Sequence, residues 1–308
     1  MSFDAVVFPG QGAQKSGMAS DFYEQCDVAQ SIFEQAGRHL SFDVKSMCFE
    51  DRPELNQTIY TQPCIVTAEI AMFESLKHTY DGFNPNVFGG HSLGEYAALV
   101  AADVLPFDVA IQLVAKRGQL MHETSVDGAM AAVIMDKLPL SELSAFASNH
   151  AIDVANDNSV NQVVLSGEKS ALTELVSELE AHYHAQDIRC VMLKVSAPFH
   201  SRHMKDIEDI FHDFLRSHQD SFNASKANCV VSNYLGRFYQ NDASEIIDSL
   251  AKQLSGSVKW RDNMDAIVSK SSSILELGPN RPLRGFFKTL GVDIISVINQ
   301  RSASKAFA

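Results

Sequence analysis

Apolar residues fall into two rhythms along this chain. Short unbroken runs, Ala5-Val6-Val7-Phe8, Val87-Phe88-Gly89 and Ile274-Leu275-Glu276-Leu277, alternate too little for half-exposed strands. They predict buried strands of a parallel sheet, with a last strand at Asp293 to Val297. Elsewhere apolar positions recur at helical spacing. Phe22, Val28, Ala29, Ile32, Phe33 and Ala36 predict one helix from Asp21 to Leu40. Thr61-Gln62-Pro63 predicts the opening of a helix from Cys64 to Lys77, with proline in the first turn, where a missing amide costs little. Phe107, Ala110, Ile111, Val114, Gly118 and Met121 mark a helix from Pro106 to about Glu123.

The texture changes at Gly128. Strand patterns at 129–135, 152–155, 162–166 and 190–195 alternate with helix patterns at 138–149 and 170–182. The order β-α-β-β-α-β is the ferredoxin-like one. Residues 127–197 are therefore expected to form a small α+β domain, inserted into a larger α/β domain made of 1–126 and 198–308.

Candidate chemistry centres on Gly90-His91-Ser92-Leu93-Gly94, a G-x-S-x-G between a strand and the apolar run Tyr96 to Ala102. A serine in such a turn is pushed out of the fold, and the first helix amides point where an oxyanion would form. Ser92 is thus either a nucleophile or a plain helix cap. His200, in Ala197-Pro198-Phe199-His200-Ser201, follows a strand and opens a helix to about Arg216. The order Ser…His is that of α/β-hydrolase-like sites, and the large domain is read as one. The loop Pro9-Gly10-Gln11-Gly12-Ala13-Gln14 lacks the third glycine of a dinucleotide fingerprint, and no phosphate-loop motif is present. Its amides can still approach a ligand closely. Arg117 shares the apolar face of its helix, three after Val114 and four before Met121. A buried guanidinium needs an anion, whether a ligand, an internal carboxylate or the carboxyl end of its helix. His91 is read as structural. His200-x-x-His203 and His182-x-His184 lack the further ligands of a zinc site, so no metal is expected.

Composition narrows the partners. A net charge of −13 argues against nucleic acid and against an anionic membrane. No apolar run approaches the roughly 18 residues of a membrane span, and no secretion signal is seen. Five cysteines without C-x-x-C spacing suggest reduced thiols in a cytoplasm.

These landmarks form an ordered set: Gly10-Gln11-Gly12-Ala13-Gln14, Thr61-Gln62-Pro63, Gly90-His91-Ser92-Leu93-Gly94-Glu95, Arg117-Gly118, Ala197-Pro198-Phe199-His200-Ser201, Val258-Lys259-Trp260 and Glu276-Leu277-Gly278-Pro279. The set resembles the malonyl-CoA:acyl carrier protein transacylase family, which also holds the acyltransferases of polyketide synthases. The resemblance runs from Phe8 to about Val297. It implies Ser92 as acylated nucleophile, His200 as base and the amides of Gln11 and Leu93 as oxyanion hole. It implies that Arg117 binds the malonyl carboxylate, with Gln62 and Phe199 in the substrate site, and that the main-chain carbonyl of Gln253 orients the histidine in place of an acid. It implies coenzyme A thioesters as substrates, the phosphopantetheine of an acyl carrier protein as acceptor, and no resident cofactor. A monomer acting in trans is expected, in polyketide or fatty acid synthesis, with the wording around His200 leaning to the polyketide type.

Rival readings are an esterase or thioesterase, a stand-alone acyl hydrolase that clears carrier proteins, and a non-catalytic scaffold. None of these needs Arg117 as transfer does. Carrier docking is expected on locally basic surface at Arg202 and Lys205, at Lys259 and Arg261, or at Arg281, Arg284 and Lys288.

Overall fold

The computed structural model describes residues 3–308, apart from Ser125 and Ser196. β1 (Ala5–Phe8) leads to α1 (Ser20–Gln25), α2 (Asp27–Gly37) and α3 (Val44–Phe49), then to the long α4 (Thr58–Thr79). β2 (Val87–Gly90), α5 (Gly94–Ala101) and α6 (Phe107–His122) follow. The middle of the chain gives β3 (Gly128–Ile134), α7 (Leu140–Asn149), β4 (Asp153–Ser159), β5 (Gln162–Glu168), α8 (Lys169–His182) and β6 (Arg189–Met192). After α9 (Lys205–Ser217) come the short β7 (Val231–Ser232) and β8 (Arg237–Phe238), then α10 (Ala243–Lys252) and α11 (Trp260–Lys270). β9 (Ile274–Leu277), α12 (Arg284–Lys288), β10 (Ile295–Val297) and α13 (Gln300–Ala306) complete it.

The first sheet has the order β10-β9-β1-β2 and is parallel throughout, with Ala5 opposite Val87 and Ile274. Val6 and Phe8 face one apolar core, while Ala5 and Val7 face another containing Trp260, Met264 and Ile267. Burial on both faces is why these strands read as unbroken apolar runs. Parallel pairing of β1 with β2 sets their carboxyl ends side by side, where open α/β sheets bind ligands. The loop holding Gln11 and the turn holding Ser92 leave the sheet at that edge.

The second sheet, β4-β5-β3-β6, is antiparallel and has the ferredoxin-like order. Ala131 and Val133 pack under α7 and α8, whereas Met130 and Ala132 join the main core. Its β4 edge is tied down. Asn156 bridges Val258, whose amide donates to the Ala155 carbonyl and whose carbonyl accepts from Asp157, both at 2.9 Å. Arg261 pairs with Asp157 at 2.7 Å. The β6 edge is open, with Val191 43% and Met192 45% exposed.

Several boundaries differ from the sequence reading. The helix expected from Asp21 to Leu40 is two helices, because Cys26 is extended (φ −142°) and starts α2 afresh. α4 begins six residues earlier than Cys64 and carries Pro63 inside it. Upstream Thr58 and Thr61 are buried, and packing there overrides the lost amide of Pro63. β4 runs on through Asn156, Asp157 and Asn158, whose polar side chains disguise a strand. β6 stops at Met192, short of the expected Val195. Ser196, part of the segment read as the return to the large domain, lies outside the described residues. Among the described residues no helix is long and apolar enough to cross a membrane.

α4 is apolar nearly all round, and Glu69 sits in it at 0% exposure. Neither carboxylate oxygen has a hydrogen-bond partner among the described residues, and burial holds its pKa well above the usual range. One oxygen lies where a side chain at Gly278 would come to 3.0 Å. The folded chain thus keeps a proton that the unfolded chain loses above about pH 4.3. Its stability contribution is whole below that pH and declines as pH rises toward the raised folded value. Glu69→Met is expected to raise the unfolding temperature, with a gain at pH 8 exceeding that at pH 5. The neutral form alone costs about 1–3 kcal/mol for its unmade hydrogen bonds. Equal gains at both pH values in paired thermal melts would contradict this.

Candidate active site

β2 runs straight into the serine turn. The His91 amide donates to the Phe8 carbonyl at 2.9 Å, and Ser92 then takes φ +50°, a left-handed conformation unusual for a residue with a side chain. The turn closes only because its flanks are glycine. A Cβ on Gly90 would lie 1.9 Å from the Gly94 carbonyl oxygen, and one on Gly94 would lie 2.3 Å from that of Phe8. α5 starts at once, so the Leu93 amide points outward beside Ser92. The amides of Gln11 and Leu93 have no protein acceptor among the described residues.

His200 is also left-handed (φ +56°) and is held by its amide on the Leu254 carbonyl at 3.1 Å. Its Nδ1 lies 2.7 Å from the Gln253 carbonyl oxygen, and its Nε2 lies 2.7 Å from Ser92 Oγ. A carbonyl can only accept, so Nδ1 carries the proton and Nε2 is free to accept from the serine hydroxyl. Burial, then the positive charge of Arg117, moves the histidine pKa down to about 3.

Arg117 projects from α6 into the same place and is 1% exposed. One terminal nitrogen donates to Gln62 Oε1 at 2.8 Å; the other donates to Gln253 Oε1 at 2.9 Å and to Ser92 Oγ at 3.2 Å. Its Nε has no partner among the described residues, and its Cζ lies 5.8 Å from the centroid of the Tyr96 ring. Its hydrogen-bond partners are therefore two neutral amides and a hydroxyl. An internal salt bridge is not what holds it. Burial lowers its pKa, with Tyr96 and Glu95 opposing.

A cavity of about 100 Å³ joins these groups, lined by Gln11, His91, Ser92, Arg117, Phe199 and His200, with Met121, Met130, Asn156, Leu193 and Val195. Of the expected site residues, Ser92, His200, Arg117, Gln11 and Phe199 line this cavity, Gln62 and Gln253 touch Arg117 behind it, and Leu93 follows Ser92 in the turn. Thr58 extends the chain of contacts, donating to Gln11 Oε1 at 2.7 Å and accepting from Gln62 at 2.9 Å.

Sequence reasoning missed other members. His91 faces the cavity, contrary to its reading as structural alone, and donates from Nε2 to Asn158 Oδ1 at 2.7 Å. Leu193 and Val195, expected in a strand, line the cavity instead. Beneath the site Glu95, Asn233 and Tyr239 form a buried polar cluster. The available signal was Glu95 itself, a charge heading an otherwise apolar helix. Among the described residues no group of three or more His, Cys, Asp or Glu is placed to hold a metal ion.

A serine at a strained turn, a tautomer-locked histidine and a buried guanidinium thus share one cavity. The family model described as acyl transferase domain matches residues 5–274. The chain belongs to that family. It is 36% identical over 301 residues to the malonyl CoA-acyl carrier protein transacylase of Staphylococcus aureus, covering 96% of this chain and 94% of that one. The solved transacylase of Coxiella burnetii superposes with a TM-score of 0.89 at 32% identity, covering 98% and 96% of the two chains. A malonyl-transacylase solved in complex with a type II polyketide acyl carrier protein gives 0.90 at 32% identity, covering 98% of each.

The pH dependence follows from the histidine. With its pKa moved from about 6.5 to about 3, the neutral base persists far into acid. The single-turnover rate of Ser92 acylation is expected to stay level from pH 8 down to about 5. In Arg117→Ala the lost positive charge lets the histidine pKa rise, so the acid limb moves toward neutrality. Quenched-flow rates that fall with a midpoint near 6.5 in the wild type would contradict this.

Proposed function

We propose that this acyl transferase moves a malonyl group from malonyl-CoA to the phosphopantetheine thiol of an acyl carrier protein through an ester on Ser92. The observation that carries the reading is Ser92 Oγ touching both His200 Nε2 and a buried arginine that no carboxylate contacts among the described residues. The names of the relatives support the same substrate and acceptor.

In the first half-reaction Ser92 Oγ attacks the thioester carbonyl and His200 Nε2 takes its proton, a step to which a positioned base contributes about 10²–10⁴-fold. The amides of Gln11 and Leu93 receive the oxyanion, one such donor being worth about 3 kcal/mol. The C–S bond breaks and the coenzyme A thiolate takes the proton from His200. In the second, the carrier thiol gives His200 its proton and attacks the ester, and Ser92 Oγ leaves with the proton returned. Through both, the two terminal nitrogens of Arg117 leave their amide partners and grip the malonyl carboxylate. The written chemistry calls on no group beyond the substrate and the carrier's own phosphopantetheine. We assign it to the cytoplasm, in keeping with five free cysteines, and place the small domain at 127–197.

For carrier docking the structure thins the candidates. Arg202 pairs with Asp153 at 2.7 Å, Lys205 with Glu208 at 2.6 Å and Arg261 with Asp157 at 2.7 Å, so these cations are already matched. Lys259, Arg281 and Lys288 are exposed and are the groups we assign to the carrier.

Mixing with malonyl-CoA is expected to add one malonyl mass, mapped to Ser92 and absent in Ser92→Ala, which carrier protein then removes as malonyl-carrier. Release as free malonate would mark a hydrolase instead. Arg117→Ala is expected to slow malonyl transfer by about two to four decades, from two charged hydrogen bonds of about 1.5–3 kcal/mol each at 1.4 kcal/mol per decade. Acetyl transfer loses far less. Equal losses with the fold intact would assign Arg117 a structural role alone. Phe199→Ser is expected to narrow the preference for malonyl-CoA over methylmalonyl-CoA in direct competition. One methyl group in an apolar pocket is worth about 1–3 kcal/mol. An unchanged ratio would remove Phe199 from specificity.

A further inference from the structure

Glu95, in the first turn of α5, is 1% exposed; its amide donates to the Ser92 carbonyl at 3.2 Å, and it does not line the cavity. Its Oε1 accepts from the Tyr239 hydroxyl. Its Oε2 accepts from Gln253 Nε2 at 2.5 Å, Asn233 Nδ2 at 2.6 Å and the Asn233 amide at 3.2 Å. Burial pushes its pKa up, and these donors pull it back.

The chemistry of the partners leaves the two amides one orientation each. Gln253 Oε1 faces Arg117 at 2.9 Å and Nε2 faces Glu95. A guanidinium cannot accept and a carboxylate cannot donate, so the reverse placement fails on both sides. Asn233 turns Nδ2 to Glu95 and to the Gly90 carbonyl at 2.7 Å, which leaves Oδ1 for the Ser92 amide at 3.2 Å. Gln253 Nε2 also reaches the Ser92 carbonyl at 3.1 Å. Both backbone polar groups of the left-handed Ser92 therefore meet side-chain amides that one carboxylate orients, the carbonyl beside the amide of Glu95 itself. The same Gln253 holds His200 through its main chain at 2.7 Å.

We propose that Glu95 is a positioning residue of the transfer reaction, acting through Gln253 and Asn233 to hold Ser92 and Arg117 in one geometry and to supply the anion that offsets the buried guanidinium. The proposal rests on the roles given to Ser92 and Arg117 above. Its charge reaches Arg117 across the Gln253 amide, where it opposes the lowering of the arginine pKa by burial. An amide between two charges keeps them apart while transmitting orientation, and Arg117 stays free to exchange a neutral partner for a substrate carboxylate. A direct salt bridge would compete with that substrate.

The test compares single-turnover Ser92 acylation by malonyl-CoA and acetyl-CoA, with thermal unfolding, in wild type, Glu95→Gln, Tyr239→Phe, Gln253→Met and the Glu95→Gln/Gln253→Met double variant. Glu95→Gln keeps the volume and removes the charge. It is expected to acylate at least tenfold more slowly with malonyl-CoA and to lower the malonyl-to-acetyl rate ratio. Tyr239→Phe frees only the oxygen that Gln253 and Asn233 do not use, so it loses stability but keeps its rate within about twofold. The double variant is expected to be no slower than the slower single, because both act along one route. A folded Glu95→Gln with the wild-type rate and ratio would overturn the proposal, as would multiplying effects in the double variant. If Glu95→Gln does not fold, Gln253→Met decides, since it severs the same link. A tenfold loss with a lower ratio supports the proposal, and wild-type behaviour overturns it. Absence of any Ser92 adduct in the wild type would refute the transfer reading instead.

Discussion

The structure depends on one costly placement: the Arg117 guanidinium, removed from water with no carboxylate in contact among the described residues. An isolated charge in an apolar interior is expensive, and under the proposed function a contacting anion would neutralise the group that binds the malonyl carboxylate. Two glutamine oxygens resolve the conflict. Gln62 and Gln253 satisfy the terminal nitrogens of Arg117 without charge, and Glu95 stands behind the Gln253 amide. The same positive charge, after burial, helps keep His200 neutral.

The second constraint is steric. Ser92 and His200 both hold positive φ, and their hydroxyl–imidazole contact of 2.7 Å joins two strained turns from distant parts of the chain. Such conformations persist only where their surroundings over-determine them. Around Ser92 that work falls to Gly90, Gly94 and the two amides. Around His200 it falls to the carbonyls of Leu254 and Gln253 just beyond α10. The parallel register of β1 on β2 brings the Gln11 loop to the same corner.

What the sequence made legible was local. Glycine spacing marked the serine turn, helical spacing put Arg117 on a buried face, and strand order exposed the ferredoxin-like middle. The roles of Gln11, Leu93 and Gln253 came through resemblance, because a main-chain amide or carbonyl leaves no signature in side-chain type. Three things were hidden for physical reasons. Asn233 and Tyr239 meet Glu95 from 138 and 144 residues away, and no spacing rule reaches that far. β4 pairs through polar residues whose alternation looks like a loop. Arg202 looked free for a partner because Asp153, its neighbour in space, lies 49 residues earlier.

In the proposed transfer Arg117 stays parked on neutral amides until a substrate carboxylate replaces them. The most direct measurement is a crystal structure of the enzyme carrying malonyl on Ser92. The expected result has both terminal nitrogens of Arg117 on the malonyl carboxylate, with Gln253 Nε2 still on Glu95. A malonyl carboxylate turned to solvent or to another cation, while Arg117 remains on Gln62 and Gln253, would contradict it.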